Sequence, residues 1–179
     1  MAARGQIIEP LLAELQAHEF FQRKPPRSAW RLDFGSRYAD DILERYASAS
    51  TEDLLATLAM FTATSIERAL VDFILPKTSV TKVVASGGGT RNTTLMRFLT
   101  ERLATHGLKT CVSDEFGMPA AYKEAIKFAT LAFAAKRGLA NNIPAASGAS
   151  SFAILGKLTL APRLARGTEN ITSNGVSSV

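Results

Sequence analysis

Cysteine is nearly absent from this chain: Cys111 is the only one among 179 residues. One thiol cannot close an internal disulfide, and in the apolar run LKTCVS it has the setting of a small buried side chain rather than of a nucleophile. Histidine is almost as scarce. His18 and His106 are the two, each near the end of an expected helix, where the helix dipole accounts for them. No Cys, Glu or Asp stands at ligand spacing from either, so no metal-ligating residue is assigned. Long apolar runs are lacking too. No stretch approaches about 18 uninterrupted apolar residues, and MAARGQIIEPLL has neither an apolar signal core nor a small-residue cleavage site. No membrane partner is therefore expected, and the expected location is cytoplasmic. Charge of one sign is missing as a block. The 21 basic and 16 acidic side chains leave +5, scattered apart from small clusters at Arg23, Lys24, Arg27 and at Arg163, Arg166. With no basic ladder interleaved with aromatics, no nucleic-acid partner is expected. Asn170-Ile171-Thr172 matches a glycosylation acceptor, a match without consequence where no secretory signal is expected.

What is present is enough apolar material for a core, 46% of the chain against 21% charged, which fits one globular domain or one large lobe of something bigger. The spacing of Ile7, Leu11, Leu12 and Leu15 predicts an amphipathic helix over 6–21, with Pro10 near its start. A double proline in FQRKPPRSAWRLDFGSR makes 23–35 a loop with functional potential, and a shorter helix is expected over 36–47. Ser50 reads as the N-cap of the longest helix, reaching Leu75, with Leu55, Leu58, Thr62, Ile66, Ala69 and Phe73 on one face. TKVVAS then reads as a strand. Asn92 or Thr93 caps a helix carrying Leu95, Leu99 and Leu103, which Gly107 closes. LKTCVS is a second strand and 114–117 a turn. Ala121, Ala125, Phe128, Ala132 and Phe133 mark the buried face of a further helix, and after the loop GLANNIPAASGAS the run FAILGKL reads as a third strand. The alternation predicts an α/β fold with a mainly parallel sheet. Three loops should meet beyond its carboxyl edge: residues 87–89, Asp114, and 141–150.

The stretch VVASGGGTRNTT raises the functional question. Glycines between a strand and a helix allow positive φ and let backbone N–H groups approach an anion or a flat ring with no Cβ in the way. A phosphate-bearing ligand is one reading, with Thr90 and Asn92 as polar contacts; a tight turn packed on a neighbouring helix is the other. The P-loop pattern fails for want of its lysine. The dinucleotide pattern has Asn92 where its third glycine belongs, which ranks a redox domain last.

In order and spacing, GGGTRNTTLM, DEFGMPAAYKEAIKFATLAF and NNIPAASGASSFAILG resemble the anhydro-N-acetylmuramic acid kinase family, of the actin-like and sugar-kinase ATPase superfamily. The PPRS loop and LLATLAMFTATSIERAL extend the likeness over about residues 7–160. The resemblance implies a partial RNase H-like (actin-like ATPase) second lobe of about three mainly parallel strands with flanking helices, over 1–166, followed by a polar tail, 167–179, expected to be disordered. It implies a kinase that uses ATP and Mg²⁺ to open the anhydro ring of 1,6-anhydro-N-acetylmuramic acid with water and phosphorylate the sugar, in peptidoglycan recycling.

By the same resemblance Gly87, Gly88, Gly89 and Asn92 match the nucleotide-side motif, Glu124 matches an acidic position facing the sugar, and 142–148 leads back towards the first lobe. The first lobe, with its phosphate loop, metal-binding acid and water-activating aspartate, has no counterpart here. No catalytic residue is therefore assigned, and a separate first lobe or a homodimer stands as the expected partner. A catalytically inactive nucleotide-binding remnant with a scaffolding role is the alternative. Read from the residues alone, Asp114 is a turn or N-cap residue before it is a base. Glu124 is as readily a solvated partner of Lys127, and Trp30 either lines a sugar pocket or anchors its loop.

Overall fold

Proline and small side chains decide where the first helices begin and how closely they pack. In the computed structural model, which describes residues 1–159, helix α1 spans Glu9–Ala17 and buries Leu11 and Leu15, one turn apart on one face. It is shorter than the periodicity predicts. Pro10 lacks an N–H and is tolerated only in a first turn, so the helix cannot begin earlier. At the other end His18 Nδ1 accepts a hydrogen bond from Phe20 N–H at 3.1 Å, opening a 3₁₀ turn over Glu19–Gln22. The segment before α1 lies along the longest helix: Gln6 N–H donates to Asp53 Oδ1 at 2.6 Å and Ile8 N–H to Thr57 Oγ1 at 2.9 Å. Gly5 is required there, because a Cβ would stand 2.0 Å from the Glu52 carbonyl oxygen.

The double-proline loop is present, but it ends in a short helix, α2, Arg31–Phe34, nucleated by Asp33 Oδ2 accepting from Trp30 N–H at 2.7 Å. Helix α3 follows at Ser36–Arg45 and buries Ile42. Helix α4, Thr51–Phe73, is capped as expected, with Ser50 Oγ accepting from Asp53 N–H at 3.1 Å. Its buried face differs from the expected one. Leu55, Leu58 and Ile66 are exposed, while Ala56, Thr57, Ala59, Ala63, Thr64 and Glu67 are buried. A small-residue stripe lets neighbouring backbones approach closely, which outweighs the larger transfer energy of the leucines. By length and mean hydropathy of 1.4, α4 could cross a membrane; here it is the helix against which α1 and α5 pack.

Strand β1, Lys82–Ala85, leads through a 3₁₀ turn, Gly88–Arg91, into helix α5, Thr93–Ala104, which buries Thr94, Phe98, Leu99 and Leu103. Gly107, at φ 71°, ends it. Strand β2, Lys109–Val112, pairs parallel with β1 in the register Lys82↔Lys109 to Ala85↔Val112. Helix α6 spans Lys123–Lys136, and α7 is the single turn Pro144–Ser147.

Two expectations are corrected. Among the described residues the sheet has two strands rather than three. FAILGKL forms no ladder because side chains take its backbone groups: Asn141 exchanges two hydrogen bonds with Leu155 (2.6 and 3.0 Å), and Asn142 bonds Ala153 N–H and the Ser151 carbonyl. The expected buried face of α6 is solvent-facing. No residue of that helix is buried, and Phe128 and Phe133 are 61% and 62% exposed. With only β1 and β2 formed, no sheet face among the described residues extends beneath it. The fold is thus α/β, mostly helical, on a small parallel sheet. The tail, 167–179, and Arg163, Arg166 and Asn170 lie outside the described residues.

Two clusters form the core: Ala59, Ala63, Phe98, Leu99, Leu103 and Leu108, and then Leu11, Leu15, Ile42 and Leu54. Leu103, fully buried, and Leu32, 98% exposed, give the expected contrast. Leu103→Ala should lose about 2–5 kcal/mol in urea unfolding, whereas Leu32→Ala should leave the midpoint unchanged.

Candidate functional site

Parallel pairing puts the carboxyl ends of β1 and β2 side by side, so the residues that follow them meet. Ser86 Oγ and Ser113 Oγ lie 2.8 Å apart, with Ser113 only 1% exposed. That bond ties the start of the glycine turn to the start of the 3₁₀ turn Ser113–Phe116. Gly87 then takes φ 97°, ψ −175°, open to glycine and strained for other residues.

The turn that follows is a set of exposed backbone amides. Thr90 closes it inward, its N–H and Oγ1 both donating to the Gly87 carbonyl, at 3.1 and 2.8 Å. Among the described residues the N–H groups of Gly88 and Gly89 have no partner, as befits the first donors of a helical turn. A Cβ on Gly88 would meet nothing within 4 Å, and one on Gly89 only Leu95 Cδ2 at 3.9 Å. The turn is therefore neither sealed nor packed under a helix; of the two readings of the glycines, the tight packed turn is the one the geometry disfavours. A cavity of about 250 Å³ opens beside it, reaching from Ser86, Gly89 and Thr90 to Ile66 and Met96.

Asn92 caps α5, its Oδ1 accepting from Leu95 N–H at 3.1 Å. Its Nδ2 has no partner among the described residues. Asp114 serves its turn, Oδ2 accepting from Ala120 N–H at 3.2 Å, as a turn residue rather than an N-cap. Glu124 stands in the first turn of α6, bonded to Lys127 Nζ at 2.5 Å and 4.0 Å from Lys123 Nζ. The Lys127 hydrogen bond, with the charges of both lysines, holds its carboxyl below the ordinary glutamate range.

Of the three loops expected to meet, two do. The third, 141–150, is held by its asparagines against 151–155. Gly148 lies against Pro26, whose Cγ is 3.6 Å from where a Cβ would be. Trp30, at the head of α2, is 73% exposed. No group of three or more His, Cys, Asp or Glu side chains is arranged to hold a metal among the described residues.

Two residues escaped the sequence reading. Glu67, 7% exposed, accepts from the Arg102 guanidinium and bonds His106 Nε2 at 2.8 Å, so His106 is held by a buried carboxylate as well as standing at a helix end. Lys123 is the second: its side chain lies against Gly87, with Cδ 3.5 Å and Nζ 3.9 Å from where a Cβ would stand. Its sequence signal was a cation in the first turn of a helix, where the dipole disfavours it.

A family model described as anhydro-N-acetylmuramic acid kinase matches residues 1–161. The chain belongs to this family. It is 36% identical over 171 residues to the anhydro-N-acetylmuramic acid kinase of Bacillus cereus strain B4264, covering 96% of this chain and 44% of that protein. It is 34% identical over 162 residues to the protein of the same name from B. cereus strain AH820, and 33% identical over 162 residues to that of B. anthracis, covering 90% of this chain and 42% of each relative. The chain thus spans less than half the length of the curated relatives it matches.

For Glu124 the sign is definite. A depressed carboxyl keeps its charge as pH falls through the ordinary glutamate range and gives it up only below. Its ¹³C-detected titration midpoint should lie below that of a free glutamate, and Lys127→Met should raise it; identical midpoints in the two proteins would contradict the ion pair.

Proposed function

We propose that this chain supplies the ATP-binding face of a sugar kinase that opens 1,6-anhydro-N-acetylmuramic acid with water and phosphorylates it, in the cytoplasmic recycling of cell-wall amino sugars. The observation that carries the reading is the exposed pair of unpartnered N–H groups at Gly88 and Gly89, beyond the carboxyl edge of a parallel sheet, in a chain of this family. Ligands of open α/β sheets collect at that edge. This reading takes the fold as part of an actin-like second lobe.

The residues fit a nucleotide. A Cβ at Gly88 would fill the open space where a ligand approaches the turn, and the flanking cavity gives a ribose or base an apolar wall of Met96 and Ile66. Gly88 and Gly89 would donate their N–H groups to ligand oxygens, Gly87 would hold the bend that aims them, and Asn92 Nδ2 would donate from the cap. Glu124, ionised, would accept hydrogen bonds from hydroxyls of the sugar. ATP with Mg²⁺ would supply the phosphoryl group and the charge that neutralises its transfer. A base to activate water is not among the assigned residues, and Asp114 is engaged by Ala120 N–H. The reading therefore takes that base, and the phosphate loop, from a separate first lobe.

Gly88→Val is the direct test, since the fold has room for the side chain and the ligand would not. The variant should keep the wild-type melting temperature and weaken ATP binding, measured by calorimetry, by about tenfold or more; equal affinities would assign the glycines to packing. Titration with ATP and with NAD separates this reading from a redox domain. Assayed alone for phosphate transfer to the anhydrosugar, the chain should show no turnover. Appreciable kinase activity would mean that a base has been overlooked. Nucleotide binding that no complementing partner converts into turnover would favour a scaffolding remnant.

A further inference from the structure

We propose that Lys123 is a phosphate-contacting residue of the nucleotide site, its ammonium neutralising oxygens of the polyphosphate laid on the Gly87, Gly88, Gly89 turn. This rests on the nucleotide reading above. The lysine stem packs on the turn, with Nζ 3.9 Å from the position a Gly87 Cβ would take. Its placement is built by the fold. Asp114 Oδ2 holds Ala120 N–H at 3.2 Å, Ala120 is 7% exposed, and the 3₁₀ turn Ala120–Tyr122 runs straight into Lys123. The Ser86–Ser113 hydroxyl bond ties the root of that segment to the root of the glycine turn.

Among the described residues the ammonium has one long ion pair and no hydrogen bond. As the first residue of α6, it stands where the macrodipole penalises a cation. Its nearest carboxylate, Glu124, is 4.0 Å away, beyond hydrogen-bond range, and that group's other oxygen is taken by Lys127 at 2.5 Å. Lys123 Nζ makes no hydrogen bond among the described residues, although its side chain is less than half exposed, at 44%. Backbone amides recognise phosphate oxygens by direction but carry no net charge. A compact ammonium beside them supplies the charge and three donors. A phosphate on the turn gives Lys123 a hydrogen-bond partner that the described residues do not supply and offsets the dipole at the same point.

Calorimetry of the full 179-residue chain with ADP and with adenosine tests the assignment, because the two ligands differ only in the phosphates. Lys123→Met should weaken ADP about tenfold, leave adenosine unchanged, and flatten the salt dependence of ADP binding. Lys123→Arg should recover most of the loss. Equal ADP affinity in Lys123→Met and wild type would overturn the proposal. Equal losses for ADP and adenosine would also overturn it, since they would show a lysine that only props the turn. If Gly88→Val loses ADP while Lys123→Met does not, the nucleotide reading stands and this inference falls. If the wild type binds neither ADP nor ATP, both fall.

Discussion

Close packing of α5 on α4 is the contact on which the rest of this structure depends. Ala59 and Ala63 of α4 meet Phe98, Leu99 and Leu103 of α5, with Leu108 and Val83 carrying the contact onto the strands. A two-stranded parallel sheet has little stability of its own, so β1 and β2 exist because this helix pair gives one of their faces a core. At the far end the pair is tied by the buried carboxylate of Glu67 on α4, which takes the half-exposed Arg102 and His106, from the end of α5 and just beyond. A lone buried carboxylate would be costly; one with two donors orients the helices instead. The glycine turn inherits that geometry through β1 on one side and α5 on the other.

The opposite wall of the site is held differently. Helix α6 buries none of its residues; it is held by Ala120 in the turn before it, by Lys123 against Gly87, and by Asn141 Nδ2 donating to the Leu131 carbonyl at 3.0 Å. Few buried contacts mean low local stability. One wall is therefore set by the core, and the other by a handful of polar bonds near the strand ends. A charged ligand that bridged Lys123 and the Gly88 amides would join the two walls, and the ion pairs of Glu124 lie within reach of the same junction.

Much of this was legible in the sequence, and the failures have physical causes. Caps were readable because they are local: Ser50 and Asn92 stand where their side chains meet N–H groups three residues on. Strands β1 and β2 were readable from short β-branched runs. The buried face of α4 was misread because periodicity weights large apolar residues, while α5 selects the small ones that allow close approach. FAILGKL has a strand's composition but loses its ladder to Asn141 and Asn142, a competition between side-chain amides and backbone that no propensity encodes. Lys123 was missed for another reason. Its contact with Gly87 spans 36 positions (123 − 87), and only the parallel pairing of β1 and β2 brings the two together.

Asn92 shows how one residue can satisfy both the fold and a ligand. The cap of α5 needs only an acceptor, which Asn92 provides through Oδ1 to Leu95 N–H. Aspartate would cap as well and would complement the helix dipole better. It would also place a full negative charge a few residues from Gly88 and Gly89 and offer no donor. Asparagine forgoes the dipole gain, keeps the helix mouth uncharged and carries a donor, Nδ2, beside the acceptor that caps. Asparagine ranks with aspartate as an N-cap, so the cap loses little by it. Where the dinucleotide pattern would have a third glycine to let helix and strand approach, this chain has a cap with a spare donor. The sequence feature that breaks the redox fingerprint is thus the one that caps α5, and under the nucleotide reading proposed above it would also donate to the phosphate.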